Sequence, residues 1–184
     1  MINYLNKFIH LYILIYLGIQ ISCVNNKERE IKRIVSEKIG TKINLIDSLR
    51  FFSLKEGWIN RPSMDGIKLI TYINGSCSSC IFEMSQWQPL FEDEDFKNII
   101  FLFYVRTNNI EQTTALMQQI EFNHPIIIDQ TDIFYTQNNL SEKKICQTFL
   151  LDQENKIMII GNPIYGINIK NIYVNAIRNY HMSK

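Results

Sequence analysis

A chain of 184 residues, 46% hydrophobic and 20% charged, has apolar material for one core of ordinary domain size and too little length for a second full domain. Nineteen basic residues against eighteen acidic ones leave a formal charge of +1, and no long basic stripe is present to neutralise a phosphate backbone. Nucleic acid is therefore not an expected partner.

The chain opens on MINYLNKFIHLYILIYLGIQISC, where Lys7 precedes an apolar stretch from about Phe8 to Ile21 and small Ser22 stands directly ahead of Cys23. A basic start, an apolar core and a small residue at its end make an export signal over residues 1–23. The apolar core falls short of the ~20 residues that a membrane-spanning helix needs. Ser22-Cys23 resembles the lipobox of bacterial lipoproteins, with Gln20 where that motif usually has leucine. The resemblance implies that Cys23 is lipidated and becomes the mature N-terminus. A lipoprotein is expected ahead of a plain cleaved signal, and both ahead of a retained anchor helix. Each places the remainder outside the cytoplasm, where neighbouring cysteines persist as disulfides, and the lipoprotein reading has it facing the periplasm, tied to the membrane by its lipid. With Cys23 given to the signal, Cys77, Cys80 and Cys146 remain, and the odd thiol needs an explanation.

Residues 24–66 form an appendage to the main domain. NNKEREIKRIVSEKIG carries Ile31, Ile34, Val35 and Ile39 at helical spacing among charges of both signs, with Gly40 as a stop. A short amphipathic helix resting one face on the domain is expected rather than a membrane-surface helix, because the charges are mixed. The segment that follows, as far as Asp65-Gly66, reads as extended pieces and a turn that add edge strands.

From residue 67 to 184 the pattern is that of alternating strands and helices. KLITYI suits a buried strand; SSCIFEMSQWQPLFEDEDF is helical with a kink expected at Pro89; NIIFLFYV is the continuous apolar run that a buried parallel strand requires. Strand, helix, strand makes a right-handed crossover. IEQTTALMQQIEF gives a second helix, PIIID a strand, TDIFYTQN a short helical piece, and QTFLLD with KIMIIG an antiparallel pair joined through Gln153, Glu154 and Asn155. The closing segment sets Ile169, Ile172, Tyr173, Ala176, Ile177 and Tyr180 on one helical face.

Within this order a CxxC, Cys77 and Cys80, stands at the junction of the first strand and helix. Together with GSCSSCIFEM, HPIIIDQTDIFYTQN and QTFLLDQENKIMIIGNP, it makes the chain resemble the thioredoxin-like fold, in particular the exported, membrane-tethered thiol-disulfide oxidoreductases of the TlpA and redoxin type. The resemblance implies an α/β three-layer sandwich, a mixed central sheet with helices on both faces. It also implies that Glu83, three residues after the second cysteine, helps move protons to and from the Cys80 thiol; an ordinary exposed helix carboxylate is the equal alternative. Proteins of this type usually carry an aromatic residue before the first cysteine, where this chain has Ser76, and a cis-proline before the TFLLD-like strand, where it has Cys146. A cis bond ahead of a residue other than proline costs ~3 kcal/mol, so a trans path is expected there.

The residues carry their own chemistry. Cys77 falls at the helix start, where unpaired N–H groups and the helix dipole favour a thiolate, lowering a thiol that otherwise titrates near ~8.5. Cys77 is thus the nucleophile, and Cys80, one turn on, resolves the mixed disulfide. Cys146 is read as a small buried side chain; a third redox thiol, or a soft three-thiolate metal site assisted by His124, are the sharper alternatives. Trp87 is expected in the core and Trp58 in core or edge packing.

The expected activity is cycling of the Cys77/Cys80 dithiol, reducing protein disulfides with electrons from a membrane donor and no cofactor. The alternative is a non-catalytic binding or assembly module in which the CxxC is a structural disulfide. Closing so short a loop gains a fold little, which favours the enzyme. Peroxidase chemistry ranks last, since no peroxide-binding Pro and Thr context precedes Cys77.

Overall fold

The computed structural model describes residues 26–182; the segment expected to be an export signal, with Cys23, lies outside them. Helix α1 covers residues 26–38, carrying the i,i+4 ion pairs Lys32–Glu28 (2.7 Å) and Arg33–Glu37 (3.1 Å) expected of its mixed-charge faces. It stops at Gly40, whose φ of +79° is a left-handed conformation that glycine adopts without a Cβ clash. A compact unit begins at Lys38.

That unit is built on one seven-stranded sheet in the order β2-β1-β5-β4-β3-β6-β7. Its strands are β1 (Arg50–Ser53), β2 (Gly57–Ile59), β3 (Lys68–Asn74), β4 (Ile100–Arg106), β5 (Ile126–Asp129), β6 (Thr148–Leu151) and β7 (Ile157–Ile160). β3, β4 and β5 run parallel in the centre, and β6, β7, β1 and β2 are antiparallel to their neighbours. The expected edge strands are the β1–β2 hairpin, which joins the sheet through β5. At the other edge Gly40 N donates to Ile157 O and Ile157 N to Thr41 O, so the chain entering the domain covers the start of β7.

Strand alternation divides the apolar residues between two cores. Leu69 and Ile73 of β3, Phe101, Phe103 and Val105 of β4, Ile126 and Ile128 of β5 and Leu150 of β6 face one side. There they meet α2 (Ser78–Glu83), α3 (Gln88–Phe91), α4 (Ile110–Gln119) and α6 (Ile167–Met182) through Ile81, Trp87, Leu90, Met117, Tyr173 and Ile177. Ile70, Leu102, Tyr104, Ile127 and Phe149 face the other side, under α5 (Ile133–Gln137) and the segment containing Ile43, Leu45 and Ile46. Both faces are therefore layered as expected, one by four helices and the other by a single short helix and an extended segment.

The helix after the CxxC departs from the expected simple kink. It tightens into a 3-10 stretch at Met84–Trp87 and resumes as α3 with Pro89 in its first turn. Pro89 has no N–H for an i→i−4 bond, so the helix reorganises ahead of it, where proline is tolerated. Trp87 is fully buried and meets Phe103 edge-on at 5.1 Å, while Trp58 packs at the sheet edge against Phe52 and beneath the Arg50 guanidinium, 4.2 Å from its ring.

Candidate functional site

The site lies at the C-terminal ends of β3 and β4, where a parallel pair delivers the chain into loops. After Asn74 the backbone turns across β4: Gly75 N donates to Arg106 O at 2.7 Å, and Ser76 N donates to the Asn74 side chain at 3.1 Å. A Cβ on Gly75 would stand 2.9 Å from Arg106 O, 2.9 Å from Val105 Cγ1 and 3.0 Å from Thr107 Cβ. Only glycine lets the loop lie this close. The Gly75 carbonyl is met by the Thr113 hydroxyl at 3.3 Å, which in turn lies 2.7 Å from the Thr107 hydroxyl; both threonines are buried.

This anchored loop sets Cys77 as the N-cap of α2, with φ −103° and ψ 104°. Its Sγ accepts from Cys80 N at 3.3 Å and stands 3.2 Å from the Ser79 hydroxyl, while its carbonyl receives Cys80 N and Ile81 N. Cys77 and Cys80 are joined in a disulfide with their Cα atoms 5.2 Å apart. Both are half-buried, so the bridge is reachable at the surface while Cys80 leans on the core. Donors already aimed at Cys77 Sγ are what a thiolate needs once the bridge opens.

Behind Cys80 is a cleft of about 340 Å³, whose walls include Tyr72, Glu83, Trp87, Arg106, Asp132 and Lys144. The Tyr72 hydroxyl donates to Asp132 Oδ1 at 2.6 Å, and Arg106 Nε lies 3.4 Å from Oδ2. Burial, and then the Asp132 carboxylate, push the Tyr72 hydroxyl well above the usual phenol range. Asp132 itself takes a left-handed conformation, φ 59°, at the start of α5. The backbone there is held by the buried Asp129 carboxylate, which accepts from Ile133 N at 3.1 Å and Phe134 N at 2.9 Å.

Glu83 also faces the cleft, its side chain only 22% exposed. Its Oε2 accepts from Lys144 Nζ at 2.6 Å and its Oε1 from the Tyr165 hydroxyl at 2.7 Å. It is therefore a tethered carboxylate rather than an open solvent-facing one. Tyr165 is pushed up to about 12 by desolvation of its hydroxyl and then by Glu83.

Cys146 ends a 3-10 turn, Lys144–Cys146, immediately before β6; it is 2% exposed and outside the disulfide. The turn is closed by Cys146 N donating to Lys143 O at 2.8 Å and Gln147 N to Lys144 O at 3.1 Å, with no cis peptide bond among the described residues. The burial is that of a small core side chain. His124 lies apart from the cysteines, near the start of β4, stacked 4.8 Å from the Phe91 ring, with Nε2 3.1 Å from Phe101 O. Among the described residues no three His, Cys, Asp or Glu side chains gather as metal ligands.

Sequence reasoning located Cys77, Cys80 and Glu83 but missed Gly75, Ser79, Tyr72, Asp132, Lys144 and Tyr165. Gly75 had a visible signal, a glycine between a strand end and the CxxC. The others come together only in three dimensions, Lys144 and Tyr165 reaching Glu83 from 61 and 82 residues away.

No family model matches the chain, and no curated protein matches it. Among solved structures it is similar to the thioredoxin domain of a thiol-disulfide oxidoreductase from Bacteroides vulgatus, with 17% identity, 74% of this chain and 98% of that one covered, and a TM-score of 0.56. Peroxidoxin BcpB from Mycobacterium tuberculosis matches with 12% identity, 77% and 97% coverage and a TM-score of 0.53. A secreted disulfide oxidoreductase of the same organism matches with 10% identity, 69% and 94% coverage and a TM-score of 0.50. These likenesses establish the fold: the chain is an α/β thioredoxin-like domain with a mixed seven-stranded sheet and a CxxC disulfide at the start of a helix.

Proposed function

We propose that this protein is an exported thiol-disulfide oxidoreductase whose Cys77 and Cys80 alternate between dithiol and disulfide. One observation carries the reading: a half-exposed disulfide whose first cysteine caps a helix, with a backbone N–H and a hydroxyl already directed at its sulfur. Cys77 is the attacking thiolate and Cys80 the resolving thiol, because Cys77 receives the donors and Cys80 packs toward the core. Glu83, one turn beyond Cys80 and on the same cleft, exchanges a proton with it.

Protein disulfides are the substrate class, electrons come from a membrane donor, and the domain is held at the membrane, facing the periplasm, through lipid on Cys23. These rest on the sequence of the signal segment and on the resemblance described above. Acylation is checked by metabolic labelling with a fatty-acid analogue, which Cys23→Ala must abolish.

The deciding experiment is the reduction potential of the Cys77/Cys80 pair, measured with Cys146→Ser. A value between about −120 and −270 mV is that of exchange catalysts. A value below about −300 mV, with no trapped mixed disulfide, would make the bridge structural. The second reading, a binding module with a structural CxxC, would then take its place, favoured by the 3-10 turn and Cys146 that stand where related enzymes carry a cis-proline.

A further inference from the structure

We infer that Lys144 and Tyr165 are positioning residues that aim the Glu83 carboxylate at Cys80 for resolution of the mixed disulfide. The inference rests on the redox reading above and goes beyond it in assigning two residues from remote loops to the site.

A glutamate on a helix surface has three side-chain torsions and samples many rotamers. Glu83 is pinned from two directions. Lys144, in the turn before β6, takes Oε2, and Tyr165, in the 3-10 turn Pro163–Tyr165 after β7, takes Oε1. Two donors on separate loops fix both the position and the plane of the carboxylate, on the wall of the cleft that Cys80 also lines. Lys144 is half-exposed, and such a pair stabilises a fold little, so its use lies in orientation and charge. The remaining charged side chains of the cleft, Arg106 and Asp132, are paired with each other, and Tyr72 donates to Asp132. Lys144 is thus the cation that meets Glu83.

The step served is resolution. After Cys77 has attacked a substrate disulfide, its sulfur is bonded to one substrate sulfur, and Cys80 is a thiol. Cys80 Sγ gives its proton to Glu83 and attacks Cys77 Sγ. The Cys77–Cys80 bond forms, the bond from Cys77 to the substrate breaks, and the substrate leaves as a thiolate that takes up a proton. The enzyme dithiol is oxidised by two electrons and the substrate disulfide is reduced by two. Glu83 must be ionised and correctly placed before this step. Lys144 and Tyr165 hold it in place, and Tyr165 is the neutral donor that yields as the proton arrives.

The test uses the full chain with Cys146→Ser. The reduced protein is mixed with an aromatic disulfide whose released thiolate absorbs visible light, and the two successive releases, attack by Cys77 and resolution by Cys80, are followed separately at neutral pH. Proton transfer by a placed side chain contributes about 10²–10⁴-fold. Lys144→Met and Tyr165→Phe are each expected to slow the second release about tenfold, a fraction of that range, leaving the first release unchanged. Lys144→Arg restores the rate of the second release, which a purely structural role would not require. Lys144→Met added to Glu83→Gln causes no further loss. If Glu83→Gln slows the second release while Lys144→Met and Tyr165→Phe leave its rate unchanged, the positioning inference is overturned and the proton role of Glu83 stands. If Glu83→Gln has no effect, both fall. Absence of the first release in the parent protein overturns the redox reading itself.

Discussion

Gly75→Ala perturbs the loop that delivers Cys77, and its cost follows from three contacts. Carbon atoms meet at about 3.5–4.0 Å, and the new methyl would stand 2.9 Å from Val105 Cγ1, 3.0 Å from Thr107 Cβ and 2.9 Å from Arg106 O. None can retreat easily: Val105 is fully buried, Thr107 is 1% exposed and hydrogen-bonded, and Arg106 O belongs to a central strand. Overpacking of this kind costs about 1–3 kcal/mol. The loop relieves it by lifting off β4, which gives up the 2.7 Å bond from Gly75 N to Arg106 O, worth about 0.5–1.5 kcal/mol. The substitution is thus expected to destabilise the fold by about 1.5–4.5 kcal/mol, the sum of the two effects. Urea denaturation of the oxidised protein measures this as a lower midpoint at constant slope. In the dithiol state, alkylation of Cys77 by iodoacetamide at pH 7 should slow as well, because the lifted loop takes its sulfur away from Cys80 N and Ser79. Ser76→Ala, an exposed neighbour, is the control. A loss below about 0.5 kcal/mol, the range of ordinary surface substitutions, would refute the close-approach argument.

Thr113→Val keeps the shape of the side chain and removes the hydroxyl shared with Thr107 and the Gly75 carbonyl; a loss of about 1–3 kcal/mol in the same titration is expected for stranding buried partners. His124 is held below its usual range, by burial first, against a smaller opposing effect of its bond to Phe101 O. The folded state therefore binds fewer protons than the unfolded one, whose histidine titrates near ~6.5. The stabilisation is complete above that pH and is lost as the pH falls through the lowered folded value. Melting curves between pH 8 and 5 should show this slope, and His124→Phe should flatten it; an unchanged slope would mean that another group is responsible. Cys146→Ala should cost about 1 kcal/mol for a small void and leave the reduction potential of the Cys77/Cys80 pair unmoved, whereas a shift of more than 30 mV, about 1.4 kcal/mol, would show that the third thiol acts on the pair.

Much of the fold was legible along the chain because each segment advertises its surroundings through local pattern. NIIFLFYV reads as a strand apolar on both faces, and β4 is indeed packed between two cores. The closing helix shows its buried stripe at Tyr173 and Ile177, and QTFLLD with KIMIIG announces a hairpin through its turn residues. The position of the CxxC between an apolar run and a helical one sufficed to place Cys77 at a helix start. Pro89 signalled a disruption but not its form, since a missing N–H can be accommodated by a kink or by tightening the turn before it.

What the sequence by itself determined, then, is whatever depends on neighbours within a few residues: strand and helix identity, which faces are apolar, the cap on α2 and the CxxC pair at its start. What only the tertiary structure decided is whatever depends on strand order and loop closure. The β1–β2 hairpin chose β5 as its partner, the Gly75 loop closed onto Arg106 and Thr113, and Glu83 met Lys144 and Tyr165 across 61 and 82 residues. A polar side chain carries no periodic signal of its distant partner. The partner is selected when the buried faces of the sheet and helices lock their loops into one geometry, and the chemistry of the cleft is settled at that point.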